Sequence, residues 1–494
     1  MVTPDQGYLP TPESVARHTA PKWWQDAKFG ILVTWGPYAV PAFALPTDSF
    51  FAFSEWYWLY QQLEPGELEG AFPEAKSAPN TDSLHREHHR ERYGEDVTYD
   101  DLLDRWRAEA WDPDAWIRLF EESGAKYFVL VAKHHDGVAL WPTATSGRHT
   151  GELGPRRDIV GELMEAAEGS PLRTGLFYAM AEWFTPAPRP EVVADADDPL
   201  FDLAFNRKRL PRNAYSGADV PYRGYRPVAD YARDHVIPQL RELTERYRPS
   251  ILWFDLPGDA GYYDANRVIA DFYNTSAGAR PDGVAVNDRA AIGAHGDFHT
   301  YEYGHHASAA TGSSPFEACR SIGTSFGYND ADTEQYADAD ELIETLIEVV
   351  SQGGNLLLNV GPRADGSIDP RQVDRLRRIG RWLDINGEAV YGSRAWSVQS
   401  AGPLRFTVGA EGTLYGFVTP RHLPGLIARV PALLDPAAPI EILGVDEELV
   451  RVESHWTTLI SLPDRLLDPR FAGTPIVLRL GPAALLEPVA GESR

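Results

Sequence analysis

Ile251-Leu252-Trp253-Phe254-Asp255-Leu256 is an apolar run that breaks on one carboxylate. Residues 234–247, just before it, carry a helical pattern that closes on Arg248-Pro249. Helix, short turn, buried strand and an acid at the strand's C-terminal tip is the order in which a (β/α) barrel presents its chemistry. Asp255 is therefore either a reacting carboxylate or a structural acid that caps the following turn.

Other short apolar runs fit the same rhythm. They are 29–35 (FGILVTW), 127–132 (YFVLVA), 175–180 (GLFYAM), 283–288 (GVAVND) and 355–360 (NLLLNV). Helical stretches at 114–123 and 159–167 lie between some of them, the first with Asp112 as N-cap and Pro113 at the first turn. Continuous apolar strands alternating with helices indicate a parallel sheet buried on both faces. Their extent favours an α/β fold of the (β/α)8 TIM-barrel type over residues 1–395. No GxGxxG follows the first strand, so a dinucleotide fold is disfavoured. From residue 396 to 494 helical periodicity fades. Short strands at 404–408, 414–418, 440–443 and 475–480, spaced by Gly and Pro, indicate an antiparallel β-sandwich. The irregular segments 61–95 and 185–227 read as rims or lids of the barrel, or as plain surface insertions.

Composition excludes some partners. The 46 Lys and Arg against 72 Asp and Glu give a net charge of −26, which argues against nucleic acid and anionic membranes. The many Trp and Tyr residues suit flat platforms for sugar faces, and equally a large core. The single cysteine, Cys319, forbids an internal disulfide and reads as a buried, inert thiol. The first 21 residues lack the basic and apolar regions of a signal peptide, so the expectation is a cytoplasmic protein.

Glycoside hydrolysis needs two carboxyls. Partners for Asp255 are Glu302, in a Gly- and His-rich loop after the fifth strand, and Glu317, in Pro315-Phe316-Glu317-Ala318-Cys319. Tyr301 and Tyr303 could desolvate Glu302 and raise its pKa; local sequence does not separate the two acids. In Lys133-His134-His135-Asp136-Gly137 a metal reading is open, but neighbours on a strand face opposite ways unless the chain turns. Hydrogen bonding to substrate hydroxyls suits these histidines better. His85, His88 and His89 have helical spacing that could hold zinc; in so polar a region a solvated helix face is the favoured reading. Ser351-Gln352-Gly353-Gly354-Asn355 lacks the GK[ST] of a nucleotide loop.

Several separate motifs then occur in one order. They are Lys28-Phe29-Gly30 with Trp35-Gly36; Glu55-Trp56-Tyr57; Gly124 to Gly137; Arg157 to Glu162; Tyr178 with Glu182-Trp183; Trp253-Phe254-Asp255; Asn287-Asp288-Arg289; and Gly353 to Pro362. In them, from about residue 23 to 396, the chain resembles glycoside hydrolase family 29, the retaining α-L-fucosidases. The resemblance implies an irregular (β/α) barrel followed by a β-sandwich. It implies an exo-acting hydrolase that releases terminal α-L-fucose, or a closely related sugar, through a covalent glycosyl-enzyme. It makes Asp255 the nucleophile and Glu302 the acid/base, with Glu317 in reserve. Glu55, Trp56, His134, His135, Tyr178, Trp253, Arg289 and Thr34 fall at sugar-pocket positions. No metal or organic cofactor is implied, and the partner is a fucosylated or related glycan; homo-oligomerisation is left open. Three positions depart from the family's pattern. His-Trp-Gly is here Thr34-Trp35-Gly36, Asp-Arg-Trp is Asp288-Arg289-Ala290, and Ser-Trp-Gly-Tyr is Ser325-Phe326-Gly327-Tyr328. They put the exact sugar in question and motivate an alternative, a non-catalytic sugar-binding barrel with an altered pocket.

Overall fold

The computed structural model describes residues 7–45, 53–63, 67, 82–184, 211–220, 222–255, 260–290, 294–302, 314–446, 449–454, 457–467 and 473–482. Residues 64–66 and 68–81 of the rim segment 61–95 and residues 185–210 and 221 of the other rim lie outside them. Eight strands form the first domain's sheet: β1 Phe29–Val33, β2 Tyr127–Lys133, β3 Arg173–Ala179, β4 Ile251–Asp255, β5 Ala285–Val286, β6 His299–Glu302, β7 Phe316–Ser321 and β8 Asn355–Val360. Every ladder is parallel, in the order β5-β4-β3-β2-β1-β8-β7-β6. The two ends meet through a parallel bridge between Asn287 and Phe298. Asp288 N–H donates to the Phe298 carbonyl at 3.0 Å and Asp297 N–H to the Val286 carbonyl at 2.7 Å. The sheet is thereby a closed barrel.

Alternation along each strand divides its side chains. Leu32, Val129, Phe177, Trp253, Cys319 and Leu357 fill the interior. Ile31, Leu130, Leu176, Phe254 and Leu358 pack outward. Both faces are buried, which is why the strands read as unbroken apolar runs. Helices Pro113–Glu122, Ile159–Ala166, Ala265–Ser276, Ala339–Ser351 and Pro370–Asn386 cover the outside. The first is capped by Asp112, whose side chain accepts from Ala115 N–H. Among the described residues between β3 and β4, the α-helix is confined to Ile237–Glu242, with π-turns at Ala232–Val236 and Leu243–Tyr247. Pro238, which has no N–H to give, sits between the two π-turns.

Two strands were not legible as strands. Glu302, expected in a loop, belongs to β6, and Glu317, in a stretch given no element, belongs to β7. Among the described residues no helix separates β5, β6 and β7, so this arc of the barrel lacks the expected alternation.

The second domain stacks a five-stranded antiparallel sheet on a three-stranded one. The first runs β13 (Glu441–Ile442), β16 (Ile476–Pro482), β11 (Thr413–Val418), β10 (Leu404–Val408) and β9 (Arg394–Ala401). The second runs β12 (Ile427–Val430), β15 (Thr457–Ser461) and β14 (Val450–Ser454). Trp396, Phe406, Leu414, Ile460 and Leu478 share their core. The sandwich is tied to the barrel where the Trp382 indole N–H donates to the Pro475 carbonyl at 2.7 Å. No helix among the described residues is long and apolar enough to cross a membrane.

Gly380 lets helix Pro370–Asn386 touch helix Pro113–Glu122, because a Cβ there would overlap the Glu122 carbonyl oxygen. Gly380→Ala should destabilise the barrel by about 1–3 kcal/mol, the usual cost of overpacking. Urea unfolding reads it; an unchanged midpoint would mean the helices separate freely.

Candidate active site

Asp255 is the last residue of β4 and, two positions on from Trp253, faces the barrel mouth. Its neighbours come from three other strand ends. Arg289, just past β5, donates from Nη1 to Asp255 Oδ1 at 2.7 Å. The same nitrogen makes a still closer contact with Glu302 Oε1, at the tip of β6. His135, after β2, stands with Nε2 at 3.4 Å from Asp255 Oδ2. Two carboxylates on one nitrogen are less than about 5.5 Å apart, the sum of the two hydrogen bonds.

Their protonation is driven in opposite directions. Burial pushes the Asp255 carboxyl up, but the His135 hydrogen bond and the Arg289 charge outweigh it and pull it down to about 2. Burial raises the Glu302 carboxyl above its ordinary value; Arg289 pulls against this and the Asp255 charge adds to it. One acid is kept ionised and the other is biased toward its proton.

Both His134 and His135 reach this region because β2 is irregular. Its register against β3 shifts between Val131 and Lys133, a β-bulge that breaks the alternation. Lys133 turns outward to Tyr178, and the chain then turns so that His134 and His135 lie side by side with ring centroids 4.7 Å apart. His135 Nδ1 donates to the Ala181 carbonyl at 2.7 Å, so Nε2 donates to Asp255 when both ring nitrogens carry a proton. Burial holds His134 well below its ordinary pKa, hence neutral, and its Nδ1 has no partner among the described residues. Asp136 accepts instead from Tyr99 Oη at 2.9 Å and from Val138 N–H at 3.1 Å. No group of three metal-binding side chains occurs among the described residues. His85, His88 and His89 correct the other reading: on their helix, Asp82–Tyr93, His85 and His89 are buried and His88 is half-buried, all against aromatic rings. His88 stacks on Phe43 at 3.8 Å, and His89 and His88 approach Tyr57 Oη at 3.2 and 3.1 Å.

Trp253 floors the site. Its ring stacks on Phe177 at 5.2 Å, and the Arg289 guanidinium lies 5.5 Å above it. Its indole N–H donates to Glu317 Oε1 at 2.9 Å, and Tyr127 Oη donates to the other oxygen. Glu317 is in register with Thr300 and Glu302 with Cys319, so Glu317 lies two residues lower, roughly 7 Å down the barrel. Burial pushes Glu317 up to about 7. As the reserve acid/base it is misplaced: its carboxyl is spent on Trp253 and Tyr127, away from Asp255.

Glu55 and Thr34 form a second group around the 325–327 loop. Glu55 Oε2 accepts from Ser325 Oγ at 3.0 Å and Gly327 N–H at 2.9 Å, and burial lifts its carboxyl to about 7. Thr34 Oγ1 donates to Asn359 Oδ1 at 2.7 Å, and Asn359 Nδ2 to the Phe326 carbonyl at 2.7 Å. Trp56 belongs to an aromatic cluster on the rim, with Phe53 and Trp183. Tyr178 is on the outer face of β3: its hydroxyl donates to Gln239 at 2.8 Å and accepts from Lys133 at 2.9 Å. The inward residue of that pair is Phe177, one position earlier, and it brings no hydroxyl. Asn287 was also missed as a site element; its side chain pairs with both Phe254 N–H and C=O, at 2.8 and 2.9 Å, and so fixes the backbone beside Asp255.

A family model described as Alpha-L-fucosidase matches residues 2–388. The chain belongs to the alpha-L-fucosidase family. Rat tissue alpha-L-fucosidase is 31% identical over 472 residues, 92% of this chain and 88% of that protein. An alpha-L-fucosidase of Dictyostelium discoideum is 32% identical over 428 residues, 84% and 81% of the two chains. The solved structure of Thermotoga maritima alpha-fucosidase in complex with fucose superposes with a TM-score of 0.75 at 32% identity, covering 96% of this chain and all of that one. Within this fucosidase fold the three departures take concrete form. Thr34 is occupied by Asn359, Ala290 is buried, and Phe326 packs toward Phe53 with centroids 5.9 Å apart.

Arg289→Met should leave Asp255 and Glu302 facing each other without a counter-charge, at a cost of about 3–5 kcal/mol. The pair would then share one proton, and its second ionisation would lie above the unfolded carboxylate value. Stability would be intact below the unfolded carboxylate pKa and lost as pH rises past it. Urea midpoints at pH 4 and pH 7 test this; equal losses at both would mean that Arg289 acts through packing alone.

Proposed function

We propose that the chain is a retaining exo-acting α-L-fucosidase in which Asp255 is the nucleophile and Glu302 the acid/base. The observation that carries this is the shared arginine. Retaining glycosidases separate their two carboxyls by about 5–5.5 Å and inverting ones by about 6.5–9.5 Å. Asp255 and Glu302, joined through Arg289 Nη1, have their nearest oxygens within about 5.5 Å of each other, short of the inverting range. Paired acids with pKa values driven apart mark which one attacks and which one donates.

In the first step an Asp255 oxygen forms a bond to the anomeric carbon while the bond to the leaving oxygen breaks. Glu302 gives that oxygen its proton. Arg289, next to both, keeps Asp255 ionised beforehand and steadies Glu302 once it is an anion. In the second step Glu302 takes a proton from water, the water oxygen attacks the anomeric carbon, and Asp255 leaves as a carboxylate. Neutral His134 offers donor and acceptor to sugar hydroxyls. The Phe177–Trp253 stack supplies an apolar wall for the sugar's less polar face. A sugar-binding protein without turnover would have no use for two opposed carboxylates at this spacing.

Asp255→Gly should lower kcat on aryl α-L-fucoside by more than about 10³-fold. Azide should restore turnover and give the inverted β-L-fucosyl azide. Glu302→Ala should cost about 10²–10⁴-fold with poor leaving groups, and azide there should give the α-product. Azide products of the same configuration from both variants would refute the assignment. A side-by-side screen of aryl α-L-fucoside, β-D-galactoside and β-L-arabinoside tests the sugar; no hydrolysis of the first would overturn that part of the reading.

In wild type, kcat/KM needs Asp255 ionised and Glu302 protonated. It should rise with pH through the depressed Asp255 value and fall again above the ordinary carboxylate range as Glu302 loses its proton. Glu302→Gln should lose the descending limb; a descending limb that persists in this variant would assign it to another group.

A further inference from the structure

Behind the site, on the outer face of the barrel, lies a charged cluster to which the chemistry above gives no role. Lys133 and Glu182 are both buried, Nζ to Oε1 at 2.9 Å. Lys133 also donates to Tyr178 Oη at 2.9 Å and lies 4.3 Å from the centre of that ring. Glu182 accepts from His235 Nε2 at 3.0 Å and Tyr222 Oη at 3.2 Å. The cluster thus spans the end of β2, the segment after β3, the helix before β4 and the rim at Tyr222. Gly137, with φ of 78°, lets the chain pass over it, since a Cβ there would run into Tyr222 Oη and the Glu182 carboxylate.

Stability does not account for such a pair, since a buried ion pair can often be replaced by apolar residues of similar volume at no cost. Its location does. Residue 182 sits between two contacts on the same histidine. Ala181, just before it, offers the carbonyl that accepts from His135 Nδ1 at 2.7 Å. Trp183, just after it, donates its N–H to the His135 carbonyl at 2.9 Å. Lys133 precedes His135 by two residues and sets the far side of the β2 bulge. The ion pair therefore fixes both chains that determine where the His135 ring points.

We propose that Lys133 and Glu182 are a positioning pair for the reaction: they hold the Ala181 carbonyl and the β2 bulge so that His135 presents Nε2 to Asp255. This rests on the reading of Asp255 as nucleophile. With the pair gone, the His135 ring is no longer oriented, and Asp255 loses the hydrogen bond that heads the forces lowering its pKa. The other groups facing Asp255, namely Arg289, Glu302 and His134, remain. Those facing the pair are His235, Tyr222, Tyr178, Tyr231 and Asp136, and none of these touches Asp255 through His135.

The test is the full-length double variant Lys133→Met/Glu182→Leu, which leaves no orphaned buried charge, beside wild type and Asp255→Gly. Aryl α-L-fucoside hydrolysis is followed for kcat, KM and the pH profile, with folding checked by thermal melting. The expected result is a kcat lower by about 10–100-fold, KM within about threefold, and an ascending acid limb displaced upward by about one pH unit, the size of one strong electrostatic contact. Glu182→Gln, which keeps the side chain's size, should move the limb the same way and serves if the double variant fails to fold. A folded variant with wild-type kcat, or with reduced kcat but an unmoved acid limb, overturns the proposal, the second outcome because general loosening would not retune Asp255. Full activity in Asp255→Gly would instead bring down the assignment of the nucleophile, independently of the pair.

Discussion

One guanidinium nitrogen between two carboxylates is the contact on which the rest depends. Arg289 Nη1 sets the spacing of Asp255 and Glu302 and supplies the positive charge that lets both be buried. A carboxylate pair at this distance without a cation would share a proton and lose its division of labour. With the cation, and with His135 on one side only, the symmetry is broken in a fixed direction. Around that contact the barrel supplies supports from below: Trp253 under the arginine, Glu317 and Tyr127 under Trp253, and Asn287 bracing the β4 backbone.

The sequence made much of this legible, for reasons that are physical. A strand buried on both faces announces itself as an apolar run, and its terminal acid as an interruption; Asp255 was visible on those grounds. Strands β6 and β7 were not, because their inward positions are polar, with Glu302 and Glu317 among them. Runs of that kind resemble loops until their ladder partners are known. The family resemblance recovered Glu302 where periodicity could not.

Register errors explain most other misplacements. Tyr178 and Phe177 differ by one position, and one position on a strand exchanges pocket for packing. The bulge at Val131 and Lys133 works the other way and brings two adjacent histidines to one side, which strict alternation forbids. No local signal marks such a bulge; it is sustained by the buried partners of Lys133, far away in sequence. The histidine helix Asp82–Tyr93 was judged by its polarity, yet rings from the neighbouring segment bury it, and only tertiary packing could reveal that.

The barrel's closure has a further meaning. Seven of its eight seams are ladders between named strands, while the eighth, between β5 and β6, is joined by a single bridge and two flanking hydrogen bonds among the described residues. The ring is a hoop fastened by one clasp. Asp255 stands at the end of β4, whose partner β3 pairs with it along its full length, whereas Arg289 and Glu302 are mounted on either side of the clasp. Local opening is cheapest where the fewest contacts must be broken. The group that has to release and regain a proton in every cycle is thus carried by the least constrained part of the hoop, and the group that must stay rigid to form and break a covalent bond is carried by one of its well-laced staves.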